Sequence, residues 1–363
     1  MKPGEYKIDD YGTHKIIEST TEKFFRSPEY NYNFDKTNGY FERYGKKMED
    51  DPTWSPNGPE ILDFEVSTIC DNNCSFCYKS SSANGKNTSL EDFKKIFHNM
   101  PRTLNQIAFG ADAKATANPH LFDMMRYCRD NDYQEIIPNI TVADISPDVA
   151  DQLAKYCGAV AVSRYNPPDI CYDSVKLLTD RGMKQVNIHM MICEERYEEC
   201  LQVLEDACTD PRLENLNAVV FLALKRKGRG TSMTPLRSKK KYRKLIDQAF
   251  KMGVGIGFDS CSAHDFLMVM QDSPDYAQLE MISEACESGS FSSYINTEGK
   301  YYPCSFAEEG EGLDVLNCGD FVQDIWNNPS TVDFRKRLLE TEKCSKIGCR
   351  SCPLFDIELI EEG

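Results

Sequence analysis

The sequence predicts an α/β fold in which a parallel sheet is covered by helices, and two observations carry that expectation. Between residue 60 and about 260, short apolar runs alternate with segments whose apolar residues recur at spacings of three and four. The short runs are rich in β-branched and aromatic residues and apolar throughout, as strands buried on both faces are. The strands fall at 61–68, 106–109, 135–142, 159–163, 185–192, 217–224 and 255–258. The helices between them fall at 90–100, 119–129, 147–157, 173–181, 194–208 and 239–252. Six or so such units fit an open doubly wound sheet or a barrel, complete or partial, and periodicity does not choose between them.

Either side of this repeat the pattern changes. Residues 1–59 are rich in Tyr, Asn, Lys and Asp, with Pro52, Pro56 and Pro59 near the end, and read as an irregular extension wrapped on the main domain. Residues 261–363 are turns, aromatics and cysteines, which fits a small metal-stabilised module behind a catalytic domain at 60–260. There is no internal repeat, low-complexity tract or lipidation signal. A chain of 363 residues with 58 acidic and 42 basic side chains can bury a large core, and its net charge of −16 argues against a partner such as nucleic acid, whose grip rests on clustered Lys and Arg. The opening Met-Lys-Pro-Gly-Glu-Tyr carries no apolar signal region, and nowhere do 18 apolar residues run together, so a cytoplasmic protein without a membrane partner is expected. In that compartment thiols stay reduced, and metal binding becomes the leading explanation for any cluster among the 16 cysteines.

Three of them stand in the run Ser67-Thr-Ile-Cys70-Asp-Asn-Asn-Cys74-Ser-Phe-Cys77-Tyr78, directly after the first strand. Chance gives about 0.03 spacings of this kind in such a chain. Three thiolates at a cubane of four irons leave one iron open to a small molecule, and the C-terminal end of a strand is where βα folds place active sites. A zinc knuckle with a distant fourth ligand is the competing reading.

This segment resembles the CxxxCxxC motif of the radical S-adenosylmethionine (SAM) superfamily, including the aromatic Phe76 before the third cysteine. The resemblance implies a partial (β/α)6 barrel and a [4Fe–4S] cluster on Cys70, Cys74 and Cys77, with SAM chelating the open iron beside Phe76 and Tyr78. Reductive cleavage then gives a 5′-deoxyadenosyl radical that abstracts a substrate hydrogen, with an electron donor such as flavodoxin or ferredoxin. Gly110-Ala111-Asp112, after the second strand, stands where the superfamily often has a GGE-type motif for the SAM amino group, although one Gly is replaced and the acid is Asp. Asn139 resembles the residue aimed at the SAM ribose, and Ser163-Arg164 the pair near its carboxylate. Each also reads as an ordinary turn or rim residue.

Of the remaining groups, Cys261 follows the last strand and reads either as a catalytic thiol that gives a hydrogen atom or proton to a product radical, or as an inert buried thiol. His189 reads as a satisfied core residue, and Cys128, Cys157, Cys171, Cys193, Cys200 and Cys208 carry no assigned chemistry. The basic stretch 225–244 reads as a grip on an acidic peptide, a phosphate or a nucleic acid, or as a solvated loop. Near the C-terminus, Cys286, Gly299 and Cys304, followed by Cys349-Arg-Ser-Cys352, resemble the SPASM and twitch extensions of radical SAM enzymes. That resemblance implies a second, auxiliary [4Fe–4S] cluster on Cys286, Cys304, Cys349 and Cys352, with Cys344 as an alternative ligand and zinc as an alternative metal. The implied function is an oxidoreductase-like radical SAM enzyme modifying a peptide or protein side chain. A small-molecule or nucleotide-modifying enzyme is the second reading, and a metal-stabilised binding module without catalysis the third.

Overall fold

The structure, a computed structural model, describes residues 4–110, 114–339, 352–355 and 359. The chain opens with an antiparallel meander of five short strands, β1 (Lys7–Asp10), β2 (Lys15–Glu18), β3 (Glu22–Arg26), β4 (Asn31–Asp35) and β5 (Phe41–Tyr44), paired in sequence order. The extension is therefore a sheet and not the irregular segment expected. Its alternation is hidden because buried positions carry amphipathic side chains, Lys23 beside Phe25 in β3 and Asn31 with Tyr32 and Phe34 in β4. Ile16, Phe25, Tyr30, Tyr32 and Phe34 pack against Ile137 and Phe291 of the main body. Lys23 Nζ donates to the Leu104 carbonyl at 2.7 Å, and the Tyr32 hydroxyl donates to that of Thr103 at 3.1 Å. Both acceptors lie just before a barrel strand, so the meander covers the N-terminal ends of the barrel strands.

The main sheet contains β6 (Ile61–Glu65), β7 (Gln106–Gly110), β8 (Ile137–Val142), β9 (Ala159–Ser163), β10 (Val186–Ile192), β11 (Ala218–Ala223) and β12 (Ile256–Phe258). All seven run parallel and each pairs with its neighbour in sequence. An order without reversal is that of a barrel and excludes a doubly wound sheet. The barrel is partial, because β6 pairs not with β12 but in parallel with β13 (Ser292–Ile295), which continues through β14 (Lys300–Tyr302) to β15 (Leu313–Asp314). The cysteine-rich C-terminal region is thus an extension of the barrel sheet.

Helices α1 (Leu90–Asn99), α2 (Leu121–Arg129), α3 (Pro147–Tyr156), α4 (Asp169–Thr179), α5 (Tyr197–Thr209) and α6 (Lys239–Met252) follow the first six barrel strands. Their starts are chemically marked. Ser89, Ser146 and Ser238 each cap a helix by accepting from the backbone N–H three residues on. Gly253 ends α6 at φ 70°, a conformation glycine adopts without penalty. Phe93, Phe97, Met124, Leu153, Val175, Leu204 and Leu245 turn onto the sheet and bury with its strand residues. After β12 come α7 (Ala263–Met270), α8 (Tyr276–Ile282) and, beyond β15, α9 (Pro329–Leu339). Arg335 of α9 stacks on Trp54 and Trp326 at 4.2 and 4.8 Å and ties the C-terminal region to the segment before the barrel. No helix of the described residues is long and apolar enough to cross a membrane.

Candidate active site between two sets of cysteines

After β6 the chain runs as a loop over the C-terminal end of the barrel. Cys70 is buried, its N–H bonded to the Ser82 carbonyl at 2.9 Å, while Asn73 takes the left-handed conformation at φ 49°, which a short polar side chain tolerates. The loop is clamped from the segment after β11. Arg229 donates from its backbone N–H to the Cys77 carbonyl at 2.9 Å, from Nε to that of Cys74 at 2.8 Å and from Nη1 to that of Ser81 at 3.0 Å. Gly228 lies against the same loop at φ 56°, and a Cβ there would sit 2.4 Å from the Tyr78 carbonyl oxygen, so only glycine fits.

This clamp changes the reading of the basic stretch. Lys225 pairs with Asp259, Lys227 donates to the Phe306 carbonyl at 2.8 Å, Lys241 pairs with Glu194 and Arg243 with Asp247. Much of the stretch is engaged within the fold, holding the cysteine loop and the C-terminal region, where a grip on an acidic ligand or a solvated loop was expected.

Above the strand ends lies a cavity of about 430 Å³. Cys70, Cys74 and Cys77 line it, and so do Cys261, Cys286, Cys304 and Cys352. Tyr78 also lines it, its ring 4.2 Å from that of Phe306, and Phe76 packs between Tyr165 at 5.8 Å and the Arg196 guanidinium at 5.0 Å. Gly110 ends β7 on the cavity, and among the described residues a Cβ there would meet no atom within 4 Å. Ala111 and Asp112 lie outside the described residues.

Ser163 and Arg164 reach the cavity from the end of β9. Arg164 is 4% exposed, with Nη1 on Glu199 at 2.9 Å and on Asn166 at 2.7 Å, while its buried Nε has no hydrogen-bond partner among the described residues. A buried guanidinium N–H left unpaired suits a ligand carboxylate. Asn139 does not reach the site. Its side chain donates to Gln106 at 2.7 Å and accepts from the Ala159 N–H at 2.9 Å, both at the first residue of a strand, which places it toward the far end of the barrel. Thr141 is the β8 side chain at the cavity, because residues two apart share a face and the later one stands nearer the C-terminal end.

Asp63, His189, Lys225 and Asp259 also line the cavity. Burial, with a smaller push from Glu287, raises the Asp63 carboxyl to about 6, and burial lowers His189 to about 4 against the opposing pull of Asp259. His189 therefore faces the cavity as a neutral imidazole near pH 7, where a core role was expected. The signal for these positions is a polar residue at a strand position between buried apolar neighbours, as Asp63 stands between Leu62 and Phe64.

Cys261 belongs with the C-terminal thiols. It interacts with Cys286, which in turn donates to the Ser288 hydroxyl at 3.3 Å, and with Cys304 and Cys352. Cys344 and Cys349 lie outside the described residues. Of the cysteines given no chemistry, Cys128, Cys157, Cys171, Cys193 and Cys200 are buried, and burial pushes Cys157, Cys171 and Cys200 up to about 12, which keeps them inert thiols; Cys208 is exposed. Among the described residues no three His, Cys, Asp or Glu side chains are spaced to hold a single metal ion.

Residues 286–353 match SPASM, an iron–sulfur cluster-binding domain. The barrel has the fold of a solved structure described as polyhistidine-tagged anSMEcpe with bound AdoMet, with a TM-score of 0.58 and 16% identity over 79% of this chain and 84% of that one. The chain shares the fold of that AdoMet-bound protein and carries a SPASM domain over residues 286–353. A further solved structure, HydG, a maturase of the [FeFe]-hydrogenase, aligns at a TM-score of 0.41 and 16% identity over 55% of this chain and 51% of that one. No curated protein matches the sequence. Among the described residues the donor set fits the groups that the resemblance implies, with three thiols on a loop at the strand ends, space beside Gly110 and a guanidinium N–H without a partner at Arg164.

Proposed function

We propose that the chain is a radical SAM enzyme that modifies a side chain of a peptide or protein, with Cys70, Cys74 and Cys77 as ligands of the [4Fe–4S] cluster. The observation that carries this reading is the sharing of one cavity, at the C-terminal ends of the barrel strands, by that loop and by the cysteines of the SPASM region. When bound, the cluster and SAM supply a 5′-deoxyadenosyl radical on one-electron reduction, and the auxiliary cluster supplies a place for an electron leaving the substrate.

The chain's own residues bind, orient and exclude water. Arg164, with Ser163 beside it, is placed to take the SAM carboxylate, and the space beside Gly110 admits the rest of the cofactor. Phe76, Tyr78, Phe109, Phe306, Phe334 and Phe355 line the cavity with aromatic surface that keeps water from the reacting centre. Neutral His189 and Asp63 are the groups placed to hold or accept a proton from substrate.

Anaerobic purification followed by metal and sulfide analysis tests the reading. About eight irons per chain are expected for two cubanes. Stoichiometric zinc without sulfide contradicts it. Mass spectrometry of candidate peptides against small molecules incubated with the reduced protein and SAM then separates the substrate classes, a mass change on a peptide being the expected result.

A further inference from the structure

We propose that Cys261 is itself a ligand of the auxiliary iron–sulfur cluster, standing with Cys286, Cys304 and Cys352, and is not a hydrogen-atom donor. The inference rests on the reading above that the C-terminal thiols hold a cluster. Cys261 follows directly on the last barrel strand and lies before residues 286–353, which match the SPASM domain. It sits in the single turn Ser260–Ser262 between β12 and α7, at the strand ends. That turn is fixed: Asp259 N–H bonds the Phe221 carbonyl at 3.0 Å, and Ser262 returns to Asp259 through its N–H at 2.8 Å and its hydroxyl at 2.6 Å.

Three facts converge on the thiol so placed. It lines the same cavity as Cys286, Cys304 and Cys352, its side chain interacts with that of Cys286, and it is near enough to Cys304 and Cys352 to interact with both. A cubane has four irons and takes one thiolate at each, so these four thiols complete a ligand set from the described residues. As each Fe–S bond forms, the thiol gives up its proton to the solvent. Lys225 is 5% exposed, bonded to Cys261 and paired with Asp259, and its ammonium offsets the negative charge that the thiolates bring into the cavity. A sulfur bound to iron has no hydrogen to give, so ligation and hydrogen-atom donation are exclusive roles for this residue.

The test is iron and sulfide content with Mössbauer and EPR spectra of the full chain, purified anaerobically as wild type, Cys261→Ala, Cys261→Ser and Cys349→Ala. Wild type sets the reference of about eight irons; a wild type without an auxiliary signal refutes the two-cluster reading itself, a result distinct from any change confined to a Cys261 variant. Cys261→Ala is expected to fall to about four irons while keeping the first cluster's EPR signal and forming 5′-deoxyadenosine. Should Cys261→Ala lose both clusters through misfolding, Cys261→Ser decides, because an oxygen ligand shifts the Mössbauer parameters of one auxiliary iron. Full iron with an unchanged auxiliary spectrum in Cys261→Ala overturns the proposal. Loss of the auxiliary signal in Cys349→Ala alongside an unchanged Cys261→Ser spectrum overturns it as well.

Discussion

Arg229 holds three carbonyls of the cysteine loop, which leaves the sheet after β6 and crosses the barrel mouth, and it adds to the Cys70–Ser82 backbone bond and the Lys79 ion pairs that also fix this loop. A charged hydrogen bond contributes roughly 1.5–3 kcal/mol, so Arg229→Ala should loosen the loop by about that amount and lower the iron retained at the first cluster. The measurement is iron content after mild chelation, set against the thermal midpoint of the whole chain, which should fall little because the barrel core is untouched. Asn139 is the opposite case. Bound to Gln106 and the Ala159 N–H, it contributes to strand ends far from the cavity, so Asn139→Ala should cost about 1 kcal/mol of stability and leave SAM affinity unchanged. A weaker SAM affinity in that variant would return Asn139 to the site. The cysteine spacing and the Ser163-Arg164 pair were legible in the sequence because covalent order alone places them at strand ends. The Arg229 clamp was not, since its three acceptors come from a loop about 150 residues earlier and backbone carbonyls carry no residue signature.

Among elements, the barrel strands and helices followed their apolar periods to within a few residues, and the N-terminal meander did not. Its buried face carries Lys23, Asn31 and Tyr32; the polar ends of Lys23 and Tyr32 find backbone partners only once the sheet has docked on the barrel, and Asn31 bonds the Gly45 carbonyl just after β5. Lys23 is fully buried, and burial lowers its pKa to about 7, against the pull of Glu18 that raises it. Between that value and the unfolded value near 10.5 the unfolded chain holds a proton that the native state lacks, so this group makes stability rise with pH. The slope approaches about 1.4 kcal/mol per pH unit at most. Unfolding of wild type compared with Lys23→Met between pH 7 and 9 should show the difference in stability moving in favour of wild type as pH rises. A constant difference would place the ammonium charge elsewhere.

Across the whole molecule, the C-terminal region and the barrel are one sheet, with β13 beside β6 and the first cysteine loop between them. Lys79, two residues after Cys77, pairs with Glu65 of β6 and with Glu308 of the SPASM region and donates to the Tyr294 hydroxyl of β13 at 2.6 Å. The loop that carries Cys70, Cys74 and Cys77 is thereby anchored to both parts. The sequence presented them as separate modules because the change in composition near residue 261 is abrupt, whereas the pairing that unites them is made by four residues of each strand. The proposed function has both sets of cysteines serve one substrate, and the measurement that tests this most directly is formation of 5′-deoxyadenosine by the reduced, reconstituted chain. Wild type should form it from SAM, Cys70→Ala/Cys74→Ala/Cys77→Ala should form none while remaining folded, and Cys286→Ala/Cys304→Ala/Cys352→Ala should form it without modifying a substrate. Formation of 5′-deoxyadenosine by the first triple variant, or none by reconstituted wild type, would contradict the account.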